Sequence, residues 1–485
     1  MTARHLGRLA LPLFLAFAVV GVPAFASPPP GAVIVIINNN AAGVGFNDPT
    51  PAAPVGGNPG TTLGDQRLNA FQYAASIWAA RLNSGVTIEI RAQFIALTCT
   101  ATGAVLGSAG ATTVHANFTG APIPATWYSQ ALANSLFGSD LSPTNPDINA
   151  NFNVNLGTTG CLEASGWYLG FDNNHGILID LPAVLLHEFG HGLGFQTFTS
   201  GTTGNYLGTS PNAFPSVWDH LLYDNTQALD WTQMTAAQRV TSAINFRKLV
   251  WIGPEVTFNA PVVLGLGMPL LVASAPASLA GDYNVGTAAF GPPLGSPGVT
   301  GEVMPVLTQI PGSAPGCEAF NTVNAAAVNG KIALIDRGVC GFAVKVKNAQ
   351  NAGARGVVIA NNVAGSPPGL GGADPTITIP TVSISQADAQ KFKDFLIFRS
   401  RTRSGLFVRL GVDAAVRTGA DRLGRLLMYT PNPFQSGSSV SHYDTIALPN
   451  LLMEPNINGD LTHYVGPPWD LTLPLLKDIG WSVIY

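Results

Sequence analysis

Two histidines four positions apart, with a glutamate directly after the first, stand at His187-Glu188-Phe189-Gly190-His191. At 3.6 residues per turn, positions i and i+4 share one face of a helix, so both imidazoles can reach a single ion while Glu188 projects beside them. That offset suits a general base better than a ligand. Zinc lowers the pKa of a bound water to about 7, and a carboxylate within hydrogen-bond reach can take its proton as the water attacks a carbonyl carbon. With eight histidines and seven glutamates in 485 residues, residue frequencies give roughly two chance matches per thousand such chains, so the pattern is read as chemistry.

The segment around the motif reads as a helix able to carry it. Leu181, Val184, Leu185, Leu186 and Phe189 are apolar, Asp180 and Pro182 suit a first turn, and Gly192 and Gly194 close the helix just past His191. Upstream, Val33 to Ile37 forms a short strand, Leu68, Phe71, Ala75, Trp78 and Leu82 recur at helical spacing over 64–82, and Val86 to Phe94 alternates as a strand. Strands and turns fill 100–176, with a short helix at 127–137, and Asp470 to Trp481 reads as a final amphipathic helix.

Composition narrows the function classes. A formal charge of -4, with 10% charged residues, leaves no basic footprint for nucleic acid. The 46% hydrophobic content argues against disorder. Arg4 and Arg8 precede an apolar run that ends in Ala24-Phe25-Ala26, the pattern of a signal peptide over 1–26 with the mature chain starting at Ser27. The apolar stretch 260–275 is interrupted by Pro261, Gly265, Gly267 and Pro269, so no stable membrane insertion is expected once the signal is removed. The expected location is secreted or extracytoplasmic. Cys99, Cys161, Cys317 and Cys340 could pair in three ways; proximity and domain membership favour Cys99 with Cys161 and Cys317 with Cys340.

Strand, long helix, strands and then HEFGHGLGF is an order of elements that resembles the metzincin zinc peptidases. In that family a third histidine or an aspartate follows three residues beyond the closing glycine, and here that position is Thr197, which is not a normal zinc ligand. The third ligand must come from elsewhere. No glutamate lies between Glu188 and Glu255, and Glu255 sits in what reads as a turn. Asp219 and His220 read as a helix or turn with a solvated acid, and His463 has no supporting motif. His442 is the strongest choice, because eleven positions separate it from Met453 in Leu451-Leu452-Met453-Glu454-Pro455. This arrangement is similar to the leishmanolysin branch of the metzincins, where a long insertion precedes the third histidine and a methionine turn follows it. The resemblance implies that His187, His191 and His442 bind one catalytic zinc ion, that Glu188 is the base, and that Met453 forms the floor beneath the metal. It leaves structural calcium open.

Between 270 and 417 the composition changes to Gly, Pro and Ala turns with short Val and Ile strands. In Lys331-Ile332-Ala333-Leu334-Ile335-Asp336-Arg337-Gly338, Lys331 to Asp336 reads as a buried strand, followed by Phe342 to Ala352 as an amphipathic helix carrying Val344, Val346 and Ala349, and Val357 to Ala360 as a second strand. A strand over 376–384 and a helix over 386–398 complete the unit, and Asp336 and Arg337 are expected to fix a turn. The stretch resembles a protease-associated domain, which implies a non-catalytic module that steers substrate or regulates access.

The expected fold class is therefore α+β: a metzincin-like zinc peptidase domain, a twisted sheet plus the HExxH helix, interrupted by a small α/β protease-associated domain. Its parts are 27–269, the insert 270–417, and 418–485 carrying His442 and the Met turn. The expected activity is a secreted zinc metalloendopeptidase that hydrolyses protein or peptide substrates through a zinc-bound water activated by Glu188. Thr197 keeps alive an exported binding or adhesive protein with a structural or degenerate zinc site, and a zinc hydrolase of non-peptide substrates is a further alternative.

Overall fold

The computed structural model describes residues 31–310 and 314–485. The signal peptide expected over 1–26 lies outside the described residues.

A four-stranded sheet backs the helix that carries His187, Glu188 and His191. Its order is Ile34–Asn38, Ile88–Ile95, Ile148–Asn153, Gly107–Ala111, with the first three strands parallel and the last antiparallel at the edge. In Ile88–Ile95 the residues alternate between buried and outward positions, the period expected of a strand with one covered face. Across that face runs a helix, Leu63–Arg81, started by the Thr62 side chain, which accepts from the Asp65 amide, and finished with Arg81 in its last turn. It buries Ala70, Phe71, Ala74, Ala75 and Trp78, and the Trp78 indole donates to the Leu186 carbonyl at 3.2 Å. The long helix thereby holds the helix with His187 and His191 by a hydrogen bond as well as by packing.

The helix with His187 and His191 is Leu181–Gly192. Asp180 caps its first turn by accepting from the Ala183 amide, Pro182 occupies a position that needs no amide hydrogen, and Gly194 turns away with φ +116°. A helix buried on almost every side needs neighbours all round. Gly192 shows how closely they approach, because a Cβ there would stand 2.4 Å from Ile148 Cγ2.

The second sheet has eight strands. Leu266–Ala275 and Phe407–Arg417 pair antiparallel over most of their length, so the chain leaves and returns at one place. Val299–Pro305, Ile332–Asp336, Gly356–Ala360 and Thr381–Ile384 continue the sheet in parallel. Helices Phe342–Asn351 and Gln386–Leu396 cover its two faces, with Val346 and Ala349 in one buried cluster and Ala389, Phe392 and Leu396 in another. Val344 does not join them: it is 46% exposed, on the solvent side of its helix.

Several boundaries differ from the sequence expectation. The strand in 376–384 is only Thr381–Ile384, and the final helix is only Thr472–Asp478, because the Asp470 carboxylate accepts the Thr472 amide and stops the turn before it. Glu255 lies in a helix, Pro254–Val263, rather than a turn, and its carboxylate pairs with Lys477 at 2.8 Å. Asp336 pairs with Lys393, and Arg337 donates to Asn361 at 3.0 Å. Both disulfides follow the favoured pairing, Cys99–Cys161 and Cys317–Cys340. Among the described residues no helix is long and apolar enough to cross a membrane.

Candidate metal centre

His187, His191 and His442 converge. The three Nε2 atoms form a triangle with sides of 3.1 Å (His187 to His191), 3.2 Å (His191 to His442) and 3.2 Å (His442 to His187). Each Nδ1 faces a main-chain carbonyl: His187 that of Leu452 at 2.7 Å, His191 that of Phe195 at 2.7 Å, and His442 that of Ser438 at 2.8 Å. A carbonyl can only accept, so each Nδ1 carries the hydrogen and each Nε2 presents a lone pair. Three lone pairs aimed at one another repel unless a cation lies between them. A tetrahedral ion with bonds of about 2.0–2.1 Å to nitrogen sets its ligands about 3.3–3.4 Å apart, close to the edges of this triangle.

Electrostatics favour the neutral, metal-ready forms. His191 and His442 are buried and His187 is partly open. Burial lowers the His187 pKa to about 4 and, with His187 adding to it, that of His191 to about 3; it holds His442 well below its ordinary value. Burial pushes the Glu188 carboxyl up to about 8, opposed by a backbone hydrogen bond from Ala109 on the edge strand.

His442 arrives by tertiary packing alone. The Tyr443 amide donates to the Met453 carbonyl at 2.9 Å, its hydroxyl donates to the Leu471 carbonyl at 3.0 Å, and its ring meets Phe195 edge-on at 5.0 Å. Asp444 forms a buried ion pair with Arg247 at 3.3 Å. Met453 is fully buried with its sulfur beneath the helix Leu181–Gly192, 2.9 Å from where a Cβ at Gly190 would stand. Asp470 holds the turn before it by accepting the Leu452 amide at 2.7 Å.

Thr197 lines the cleft but supplies no ligand. Its hydroxyl donates to Asp219 at 2.6 Å, while its amide donates to Ser441 Oγ at 3.2 Å, next to His442. Asp219 is 0% exposed and also accepts from the Thr199 hydroxyl at 2.6 Å and the Ser216 amide at 2.8 Å. The solvated acid expected at this position is instead a buried clamp. Its partners lie up to 22 residues away, so no local spacing announces it. His463 is away from the centre, where its Nε2 lies 3.0 Å from the carboxylate of Asp180, the cap of the helix Leu181–Gly192.

A cleft of about 770 Å³ opens onto the three histidines. One wall is the segment 104–109 leading into the edge strand, and the other is formed by Phe434 and the serine-rich segment 436–441. Composition marks 100–176 only as strands and turns and points to no wall, because Gly107-Ser108-Ala109-Gly110-Ala111 has too few apolar residues to show a period. A loop of the eight-stranded region meets the chain two residues before Phe434 of the far wall: the Ser366 amide donates to the Asn432 carbonyl at 3.0 Å, and the Asn432 amide donates to Ser366 Oγ at 2.9 Å.

Residues 299–392 match the PA domain family, and the chain carries that domain. Relatives include vacuolar-sorting receptor 5 of Arabidopsis thaliana, 39% identical over 89 residues, which are 18% of this chain and 13% of the receptor. Leucine aminopeptidase 2 of Trichophyton rubrum is 45% identical over 76 residues, 16% of this chain and 15% of that protein. The chain thus spans less than a sixth of the length of these curated relatives. Among solved structures, a zinc aminopeptidase from Bacillus subtilis is 22% identical, with a TM-score of 0.22 over 31% of each chain.

Proposed function

We propose that the protein is an exported zinc-dependent endopeptidase of metzincin type, with His187, His191 and His442 as metal ligands and Glu188 as general base. The observation that carries this reading is the set of three Nε2 lone pairs, fixed by three carbonyls and meeting at one point beside a buried carboxylate. The fit with zinc rests on the all-nitrogen donor set and on the spacing of the triangle. When bound, the ion would supply Lewis acidity, lowering the pKa of a water to about 7 and polarising a carbonyl.

The rest falls to the chain's own residues. Glu188, whose carboxylate form a neighbouring cation would favour against the burial that pushes it up to about 8, accepts the proton of the attacking water and returns it to the departing amine. The edge strand Gly107–Ala111 ends its sheet, so its outer row of amides and carbonyls is available to an extended peptide lying along the cleft.

Cleavage within a chain, rather than at its end, is favoured by the charge of the lining. Among the described residues, no lysine or arginine lines the cleft, so a terminal carboxylate meets no cation there. Its carboxyls are Glu188 and Glu454, and Glu454 is 1% exposed, its oxygens taken by the Leu451 amide and Asn458. A terminal ammonium therefore has no free acid other than the base. The leucine aminopeptidase named above is matched over only 76 residues, 15% of its length, a domain-sized stretch that fits an accessory module. We assign the PA domain to guarding the cleft wall beside its contact at Asn432.

The deciding experiment is digestion of one peptide with a free and with an acetylated N-terminus, alongside casein, by wild type and Glu188→Gln. The proposal expects internal cleavage of both peptides by wild type and none by the variant. Stepwise release from the free peptide alone would instead mean an aminopeptidase, and stoichiometric zinc with no cleavage would mean a binding protein.

A further inference from the structure

The PA domain ends in an exposed tip with two features found together nowhere else in the described structure. Directly after the helix Gln386–Leu396, Ile397 is 73% and Phe398 is 87% exposed. The next five residues, Arg399-Ser400-Arg401-Thr402-Arg403, carry three arginines in a chain that has only 23 Lys and Arg in all. Arg355 is exposed nearby: its amide donates to the Lys331 carbonyl, and the Lys331 ammonium meets the Thr402 carbonyl. Among the described residues, no ion pair engages Arg355, Arg399, Arg401 or Arg403.

The acids at the tip leave this positive charge in excess. Glu302 is committed to the Ser404 and Gly405 amides and to Lys331, and Asp394, which keeps its charge while accepting from the neutral Gln390, is one acid against the four arginines. Other exposed apolar side chains lack the combination. Phe258 stands in a helix without a basic residue, and Arg422, next to exposed Leu423, is neutralised by Asp282 and Asp413.

We propose that this tip docks the protein reversibly onto phospholipid surfaces rich in anionic headgroups. Ile397 and Phe398 enter the interfacial layer while Arg355, Arg399, Arg401 and Arg403 meet the phosphates. Adjacent large apolar side chains flanked by unpaired cations are what such a surface rewards, whereas a neutral protein partner would leave the arginines unmatched. The position is suitable. The first residue of the helix donates to the Asn362 carbonyl, in the loop region that meets Asn432 through Ser366, and eleven residues at 1.5 Å carry the chain about 16 Å to the tip. The tip therefore stands about a helix length from the loop that contacts Asn432. The inference does not rest on the proposed activity.

The test is flotation of the purified protein with phosphatidylcholine vesicles and with vesicles that also contain phosphatidylglycerol. Binding is expected only to the second kind, with loss at about 0.5 M salt, where charges are screened within about 4 Å. Each arginine near an anionic surface is worth about five-fold in partition, so Arg401→Ser with Arg403→Ser should weaken binding about 25-fold. Phe398→Ser should cost about ten-fold or more, with unfolding temperature and metal content unchanged. No flotation with anionic vesicles, equal flotation with both kinds, capture by a soluble polyanion alone, or wild-type binding by these variants would overturn the proposal.

Discussion

The Nε2 atoms of His191 and His442 stand 3.2 Å apart although 251 positions separate the residues in sequence. The first is fixed by a helix of twelve residues, the second by Tyr443, whose hydroxyl, amide and ring are each engaged by a different part of the chain. Removing the second should therefore test the centre without unwinding the helix. In His442→Ala, zinc affinity is expected to fall at least about 100-fold, more than loss of an outer-shell partner costs. Metal analysis after dialysis against a zinc buffer would detect this, and unchanged affinity would remove His442 from the site.

Glu188→Gln keeps the side chain's shape and removes the base. Zinc content should remain at wild-type level while kcat falls by about 10²- to 10⁴-fold. Full cleavage of casein by this variant would exclude Glu188 as the proton acceptor.

Chelation should make stability depend on pH in a definite direction. In the metal-free protein, burial lowers the His187 pKa to about 4 and that of His191 to about 3, against an ordinary 6.5. Between those values the unfolded chain binds more protons than the folded one, so stability is lost as pH falls from about 6.5 toward 4. Urea unfolding of chelated protein across this range should show it. If the assembled triangle holds zinc more tightly than the unfolded chain does, zinc at neutral pH should raise the midpoint.

Asp219→Ala should destabilise the protein by about 2–4 kcal/mol, because the Thr197 and Thr199 hydroxyls and the Ser216 amide would lose a buried acceptor. Through the bond from the Thr197 amide to Ser441, zinc affinity should also fall, by about ten-fold. Denaturant unfolding and zinc titration would measure the two effects separately.

Gly192→Ala places a methyl group 2.4 Å from Ile148 Cγ2, and that strand lies within the core. Overpacking of this kind costs about 1–3 kcal/mol. Gly192→Ala combined with Ile148→Ala, which removes every side-chain atom the new methyl group would meet, should cost less in thermal unfolding than the two single changes added together; strict additivity would mean that the contact is not the cause.

Much of the local structure was legible beforehand. Leu68, Phe71, Ala75 and Trp78 repeat at helical spacing, and the helix observed there, Leu63–Arg81, differs from the expected span by one residue at each end. In the PA domain, the buried strands Ile332–Asp336 and Gly356–Ala360 and the helix between them stand where the apolar runs placed them. The expectation for Val344 failed because spacing alone does not say which stripe of a helix faces the sheet. Asp219 looked solvated because charged residues usually are, and only burial beside two threonines and a free amide turns its carboxylate inward. The edge strand Gly107–Ala111 was invisible as a cleft wall, because glycine, serine and alanine leave no hydrophobic period to read.

By itself, the sequence determined what depends on near neighbours. An α-helix repeats every 3.6 residues, so His187, Glu188 and His191 had their mutual geometry as soon as their segment was helical. The tertiary structure decided what depends on distant contacts: that His442 completes the triangle while His463 pairs with Asp180, and that Thr197 supports the His442 loop without acting as a ligand. A histidine's role follows from the carbonyl that holds one ring nitrogen and from what the other faces, and across some 250 residues only packing of the whole chain supplies those partners.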